Sequence, residues 1–235
     1  MAEFKEALEK GNLPASGVAV NYGASELVAK SGDSTGLVDS IDPEFNGILK
    51  VDGKKELATN IKVGTRFQSF EVLDHADARP WQLCHFLKSD GRFRIIVFAD
   101  DVSERNQWQR VQQFGEQLAK PGSFIHRTTP PKKRIDSIIE VLMVHCAALT
   151  DFELLELPEI FHPSDEKTGY DYEKVFVDNR SYHGGPGEAY INYGVDNDKG
   201  CVVIVRPDQH VGWVGDLEDV HDMDLYFSKI LIPQI

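Results

Sequence analysis

Three side chains capable of acid–base chemistry lie between two apolar runs near the end of the chain. The stretch CVVIVRPDQHVGWVG (Cys201–Gly215) carries Arg206, Asp208 and His210 at its centre. These residues could form the lip of an active site, with the histidine as general acid or base. They also suit a hairpin turn that meets water, because Pro207 and Asp208 favour turns. The sequence favours the turn and keeps the active-site lip as the alternative.

A second group of polar side chains occupies EIFHPSDEKTGYDY (Glu159–Tyr172), with His162 and Tyr170 as its candidate site residues. Such a group could bind a metal or act as an acid–base set. However, no second histidine follows His162 at helical spacing, and Pro163 prevents a regular helix. We therefore expect a polar loop packed by its aromatic rings, and we predict no metal site.

A third group is rich in tyrosine. The stretch SYHGGPGEAYINYG contains Tyr182, His183, Tyr190 and Tyr193. Tyrosines offer an apolar ring and a polar tip, so they could line a pocket for a small aromatic ligand. Together with Trp213 they could instead form a surface that contacts a second copy of the chain, since large aromatics are enriched in interface cores. The sequence favours the contact surface.

The sequence shows no cofactor motif and no paired nucleophile. No GxGxxG opens a β-α-β unit, so we predict no FAD site and no bound cofactor. The glycine cluster HGGPGEAY is interrupted by Pro186 and reads as an exposed loop. No GxSxG elbow is present, and the three cysteines include no CxxC pair.

Charge and hydropathy restrict the partners. The 25 basic and 38 acidic residues give a net charge of −13, which disfavours nucleic acid and anionic membrane surfaces. No apolar run approaches membrane-spanning length. Three widely separated cysteines suit a reducing compartment, so we expect a cytoplasmic protein.

The elements that position these residues are those of an α/β protein. We expect residues 1–63 to be an extension and linker, and residues 64–235 to be the compact domain. Strands are predicted in RFQSFEVL, RFRIIVFA, IDSIIEVLMVHC, YEKVFVD and the Cys201–Gly215 hairpin, and helices in DARPWQLCHFLKS, SERNQWQRVQQFGEQLAK and DLYFSKIL. A strand, helix, strand order followed by a hairpin predicts a mixed central sheet flanked by helices.

Several long blocks resemble one family. FRIIVFADDVSE, IDSIIEVLMVHC and GCVVIVRPDQHVGWVGDLEDVHDMDLYFSKIL are similar to the C-terminal, thioredoxin-like dimerisation domain of flavoprotein phenol 2-monooxygenases. The resemblance implies a thioredoxin-like fold and dimer contacts. It also implies that hydroxylation belongs to flavin and substrate domains, which are missing here. The family pattern has a tyrosine at the position of His210, a departure that could introduce an acid or base on the hairpin.

A thioredoxin-like fold raises the question of thiol chemistry, which the sequence argues against. The loop DDVSERN follows the strongest strand, where a reactive cysteine would sit, and it contains none. Asp100 and Asp101 would also raise the pKa of a neighbouring thiol. We expect Cys84, Cys146 and Cys201 to be small buried apolar residues.

Two functions from different classes remain open. The first is an interaction module that forms a homodimer or docks onto a flavin hydroxylase. The second is a cofactor-independent enzyme of aromatic or polyketide secondary metabolism, which would promote proton transfer, cyclisation or isomerisation in a pocket lined by tyrosine and histidine. A closed aromatic pocket containing a histidine would favour the second.

Overall fold

A computed structural model describes residues 20–30, 51, 53–181, 187–196 and 199–234. They form a seven-stranded mixed sheet and a separate two-stranded hairpin. The strands are β1 (Glu71–Asp74), β2 (Pro80–Gln82), β3 (Phe93–Phe98), β4 (Ile139–His145), β5 (Ser164–Asp165), β6 (Gly169–Tyr170), β7 (Val175–Val177), β8 (Cys201–Val205) and β9 (Val211–Gly215). The α-helices are α1 (Arg105–Ala119), α2 (Phe124–Thr128), α3 (Ala189–Tyr193) and α4 (Val220–Ser228).

Strand β3 lies at the centre of the fold. The sheet order is β2-β1-β7-β4-β3-β8-β9, in which β3 runs parallel to β4 and antiparallel to β8. Helix α1 makes the crossover between the parallel pair, as such a connection requires. The strands β4-β3-β8-β9 with helices α1 and α4 form the thioredoxin-like arrangement, so the predicted fold class is confirmed.

Both faces of the sheet are buried. Ile95 and Val97 of β3 face α1, α2 and α4, whereas Ile96 and Phe98 face a second apolar cluster that includes α3. This alternation follows from the two-residue period of a strand. A strand covered on both sides needs apolar side chains on both faces, which explains the continuous apolar run at residues 95–98, while the one charged residue of β3, Arg94, is buried in an ion pair.

The helix predicted after Pro80 is wrong. The chain forms strand β2 there, followed by a short 3-10 helix at Leu83–Phe86. Trp81 pairs with Val72 of β1, and the Leu83 amide donates to the Phe70 carbonyl at 3.0 Å. Pairing with β1 therefore outweighs the local helical pattern.

Residues before Gly64 cover the outer edge of β9. The Ala29 amide donates to the Gly212 carbonyl at 2.8 Å, and the Lys54 amide donates to the Val214 carbonyl at 2.7 Å. Residues 1–19 and 31–50 of the predicted extension lie outside the described residues. The division at residue 64 stays a prediction.

A buried network of ion pairs joins β3, β4 and the residues before β7. Arg94 is 2% exposed and donates to the Glu140 carboxylate at 2.8 Å. Lys174, equally buried, binds the same carboxylate and also lies 3.2 Å from Asp136. Each charge therefore has an opposite partner, as burial requires. The other members are Asp90, Arg92, Arg134 and Asp171.

Candidate functional site

The β8–β9 hairpin turns as the sequence predicts. The Gln209 amide donates to the Arg206 carbonyl at 2.8 Å, which closes a turn through Pro207 and Asp208. Gln209 adopts φ +64, in the left-handed region that glycine normally fills at this position of a three-residue hairpin. Its side chain is held on both sides: it accepts from Arg66 at 2.7 Å and donates to the Leu87 carbonyl at 2.7 Å.

The hairpin brings Arg206, Asp208 and His210 together. Arg206 forms an ion pair with the Asp208 carboxylate, and His210 Nδ1 lies 3.1 Å from the Asp208 carbonyl oxygen. Tyr22 joins them: its ring centroid is 4.9 Å from that of His210 and 5.1 Å from the Arg206 guanidinium carbon. The sequence does not associate Tyr22 with this group, because Tyr22 and His210 are 188 positions apart in the chain.

The members of this hairpin group differ in their exposure to solvent. Asp208 is exposed at the surface, but His210 is only 8% exposed. No described residue hydrogen-bonds to His210 Nε2, which is itself buried. The ring contact with His210 and the contact with the Arg206 guanidinium hold the segment containing Tyr22 on the hairpin.

His162 and Tyr170 lie together in a packed loop. His162 is 5% exposed, its Nε2 lies 2.8 Å from the Leu157 carbonyl oxygen, and its ring centroid is 5.5 Å from that of Tyr170. Tyr170 is 46% exposed. Within the described part of the chain, no group of three histidine, cysteine or acidic residues could hold a metal. The contact with the Leu157 carbonyl oxygen ties the His162 ring to its own loop.

The large aromatics proposed for an interface lie mainly inside the chain. Trp213, Tyr190 and Tyr193 are each at most 2% exposed. The sheet has buried clusters on both faces, so an aromatic ring close to a turn is covered from either side. A surface patch made of these three rings is therefore absent from the described molecule. Tyr182 and His183 lie outside the described residues.

The tyrosine hydroxyls are already engaged. The Tyr190 hydroxyl donates to the Val144 carbonyl at 2.9 Å and accepts from the Asp100 amide at 2.7 Å. The Tyr193 hydroxyl donates to the Gln68 carbonyl at 2.7 Å. Burial raises the pKa of both phenols well above the usual value. They serve as internal hydrogen-bonding groups of the core.

The loop between β3 and α1 carries acids where a thioredoxin-like enzyme carries its thiol. Asp100 adopts φ +60, and the Asp101 carboxylate accepts from the Ser103 amide at 3.0 Å and from its hydroxyl at 2.6 Å. The Cys146 amide donates to the Asp100 carbonyl at 2.9 Å, which places this cysteine beside the loop. Burial, together with the charges of Asp178 and Asp100, raises the pKa of the Cys146 thiol to about 12.

The other two thiols are also held in their protonated form. Burial raises the pKa of Cys84 and that of the fully buried Cys201. A thiol exchanges or attacks as the thiolate, so all three cysteines are poor nucleophiles near neutral pH. The predicted role of a small buried residue is met by Cys201, whereas Cys84 and Cys146 are only half-buried.

A pair of histidines that the sequence does not predict lies beside β7. His75 Nδ1 lies 3.0 Å from His145 Nε2, and the ring of Phe152 packs against both. His145 is fully buried, and burial, with the nearby charge of His75, lowers its pKa to about 3. The two residues are 70 positions apart and meet only because β1 and β4 both flank β7.

The comparisons with known proteins identify the family. The family model described as "Phenol hydroxylase, C-terminal dimerisation domain" matches residues 20–235. The chain belongs to this family. The dimerisation-domain resemblance noted in the sequence is thereby confirmed.

The relatives of this dimerisation domain are monooxygenases. The chain is 31% identical over 230 residues to the FAD-dependent monooxygenase terD of Aspergillus terreus, an alignment covering 97% of this chain and 34% of the relative. It is 30% identical over 233 residues to the 3-hydroxybenzoate 4-monooxygenase of Comamonas testosteroni, covering 97% and 33%. The chain thus spans about a third of the length of these two relatives.

Among solved structures, the domain is similar to the peroxidoxin BcpB of Mycobacterium tuberculosis. The TM-score is 0.48 and the sequence identity is 14%, with 73% of this chain and 99% of that chain covered. Across the residues that the structure describes, no helix is both long enough and apolar enough to cross a membrane.

Proposed function

We propose that the chain is a non-catalytic interaction module that pairs with a second copy of itself and works with a flavin-dependent aromatic hydroxylase. The observation that carries this proposal is the match of residues 20–235 to a dimerisation domain. The alignment to about a third of each monooxygenase relative supports the flavin-bearing partner, because the matching region is a minor part of those proteins.

The enclosed chemical groups support a role without catalysis. His210 and His162 are buried, and the three thiols have raised pKa values. The competing enzyme hypothesis needs a pocket lined by tyrosine and histidine, whereas Tyr190 and Tyr193 are enclosed and hydrogen-bonded. We also propose that the chain binds no FAD by itself and is cytoplasmic, as unpaired cysteines favour a reducing compartment.

We place the dimer contact at the surface formed by Tyr170 and Tyr172, here called the tyrosine surface. These side chains are 46% and 44% exposed, and their ring centroids lie 6.2 Å apart. Exposed tyrosines are effective contact residues, because they bury a large apolar ring while the hydroxyl finds a polar partner. Trp213 and its buried neighbours contribute by supporting the fold.

Light scattering coupled to size-exclusion chromatography tests this proposal. We expect a mass twice that of the 26.4 kDa chain at micromolar concentration. Replacing both tyrosines by serine should shift the mass toward one chain, since a contact of this kind loses its anchoring rings. Ile232→Ser, which alters another exposed apolar residue, is the matched control and should leave the mass doubled.

Two results would contradict the proposal at different levels. A wild-type mass near 26.4 kDa at micromolar concentration would exclude a stable homodimer. A doubled mass that persists in the Tyr170→Ser/Tyr172→Ser variant would leave the dimer intact and exclude the tyrosine surface as its contact.

A further inference from the structure

A half-open cleft on the described part of the molecule has the composition of a ligand site. Its volume is about 550 Å³, within the range of small-molecule pockets. Two stretches of chain, 21–30 and 53–63, contribute its walls. The lining residues are Asn21, Ala29, Lys30, Gly53, Lys55, Glu56, Thr59, Ile61, Lys62 and Val63.

The cleft concentrates positive charge on an acidic protein. Among its described lining residues, Lys30, Lys55 and Lys62 stand against one carboxylate, that of Glu56, so that these four side chains carry three minus one, or +2. The chain as a whole carries −13. Among the described residues, no carboxylate forms an ion pair with any of the three lysines, and Lys30 Nζ donates to the neutral Asn21 amide oxygen.

The walls are held in place by hydrogen bonds within the two stretches and to their surroundings, and one of these bonds also covers β9. Lys30 Nζ donates to Asn21 Oδ1 at 2.7 Å, which fixes one ammonium group. The Thr59 amide donates to the Gly194 carbonyl at 2.9 Å, and the Lys54 amide to the Val214 carbonyl at 2.7 Å. A wall that is already ordered reduces the entropy lost when a ligand binds.

The remaining lining is apolar. Ala29, Ile61 and Val63 contribute hydrocarbon surface beside the lysines. Hydrocarbon favours an apolar body, while the ammonium groups favour a carboxylate. We infer that this cleft binds a small organic carboxylate, with its ring or chain against Ile61 and Val63 and its charged group at the lysines.

This inference is separate from the dimer proposal, since the cleft shares no residue with the tyrosine surface. Calorimetric titration with benzoate tests it on the full chain. Benzamide, of the same shape without the charge, tests the lysines, and inorganic phosphate tests whether the apolar walls matter. We expect benzoate to bind with a dissociation constant of roughly 1–10 mM, typical for so small a ligand.

The variants locate the site. Lys62→Gln and Lys55→Gln should each weaken benzoate binding about fivefold, as expected for loss of one partly exposed charge contact. Lys133→Gln, at an exposed lysine outside the cleft, should leave binding unchanged. Unchanged circular dichroism and melting temperature would show that each variant is folded.

Four outcomes would overturn the inference: no heat with benzoate in this concentration range, equal binding of benzamide, equal binding of phosphate, or equal losses in the Lys62→Gln and Lys133→Gln variants. The first excludes the site, the second excludes recognition of charge, and the third excludes the apolar walls. The fourth places binding elsewhere. The mass measured for the dimer test is independent of all four.

Discussion

At the scale of single residues, burial sets the protonation of the two histidines that face each other, His75 and His145. His145 lies in the sheet with its Nε2 against His75 and its Nδ1 without a hydrogen-bond partner among the described residues. A protonated ring would lack hydration in this buried position and would gain no new hydrogen-bond acceptor in exchange. The pKa of His145 is therefore lowered to about 3, and that of His75 is lowered as well.

The His145 pKa predicts a loss of stability in acid. Its folded value of about 3 lies below the unfolded value of about 6.5, so protons bind the unfolded state preferentially. The histidine's contribution to the free energy of unfolding is fully present above the unfolded pKa. It falls as the pH drops toward 3, by at most about 1.4 kcal/mol per pH unit. Urea titrations between pH 7 and 4 measure it.

His145→Gln should reduce this pH dependence, whereas the exposed His221→Gln should retain it. Asp74 works in the opposite direction, because burial raises its pKa to about 6 and its folded form therefore binds a proton more readily. Because Asp74 is present in both proteins, subtracting the pH dependence of the variant from that of the wild type removes the Asp74 contribution. Equal slopes in the wild type and His145→Gln would show that this ring has no part in acid unfolding.

At the scale of elements, the sequence predicted what local pattern determines and missed what tertiary contacts determine. The apolar run at residues 95–98 of β3 and the periodicity of α1 both predict their elements, because each reflects burial along a single segment. Trp81 lies in a strand because its backbone pairs with β1, and no local sequence pattern records this pairing. The same limit applies to the candidate site, where Tyr22 reaches His210 only after folding.

The network at Glu140 predicts a large cost for removing one charge. Glu140→Gln should lower the free energy of unfolding by about 3–5 kcal/mol, because Arg94 and Lys174 would stay buried without their shared carboxylate. Chemical denaturation at neutral pH measures this loss. Arg79→Gln, at an exposed pair with Asp77, is the control and should change stability by less than about 1 kcal/mol. A similar small effect of Glu140→Gln would contradict the predicted role of the network.

At the scale of the whole molecule, residues before Gly64 take part in the packing of the domain. Val28, Leu57 and Ile61 are each at most 6% exposed, and Tyr226 donates its hydroxyl to the Leu27 carbonyl at 2.9 Å. The sequence predicted an extension here because the segment has a weak apolar pattern. Its few apolar side chains contact strands that are distant in the sequence, and such contacts leave no local apolar pattern.

A chain that begins at Gly64 should therefore be less stable than the full chain and prone to associate. Removing the preceding residues exposes the edge of β9 and part of the apolar cluster around Leu57. We expect a lower urea midpoint and growth of large species in light scattering. A truncated chain with the stability and mass of the full chain would confirm residue 64 as the start of an independent domain.

Among the described residues, both edge strands of the sheet carry a feature that hinders pairing with a further strand, and this restricts the geometry of assembly. At one edge, Pro80 lacks an amide hydrogen and pairs with Leu73 on its inner side; at the other, backbone from Ala29 and Lys54 occupies β9. Continuing the sheet with a strand from a second copy is therefore disfavoured, and so is an open-ended fibre of added strands. In the proposed homodimer the copies would meet through side chains, and a self-complementary contact of that kind closes at two. Under the proposed function, such a domain would join enzymes in pairs without turning them into polymers.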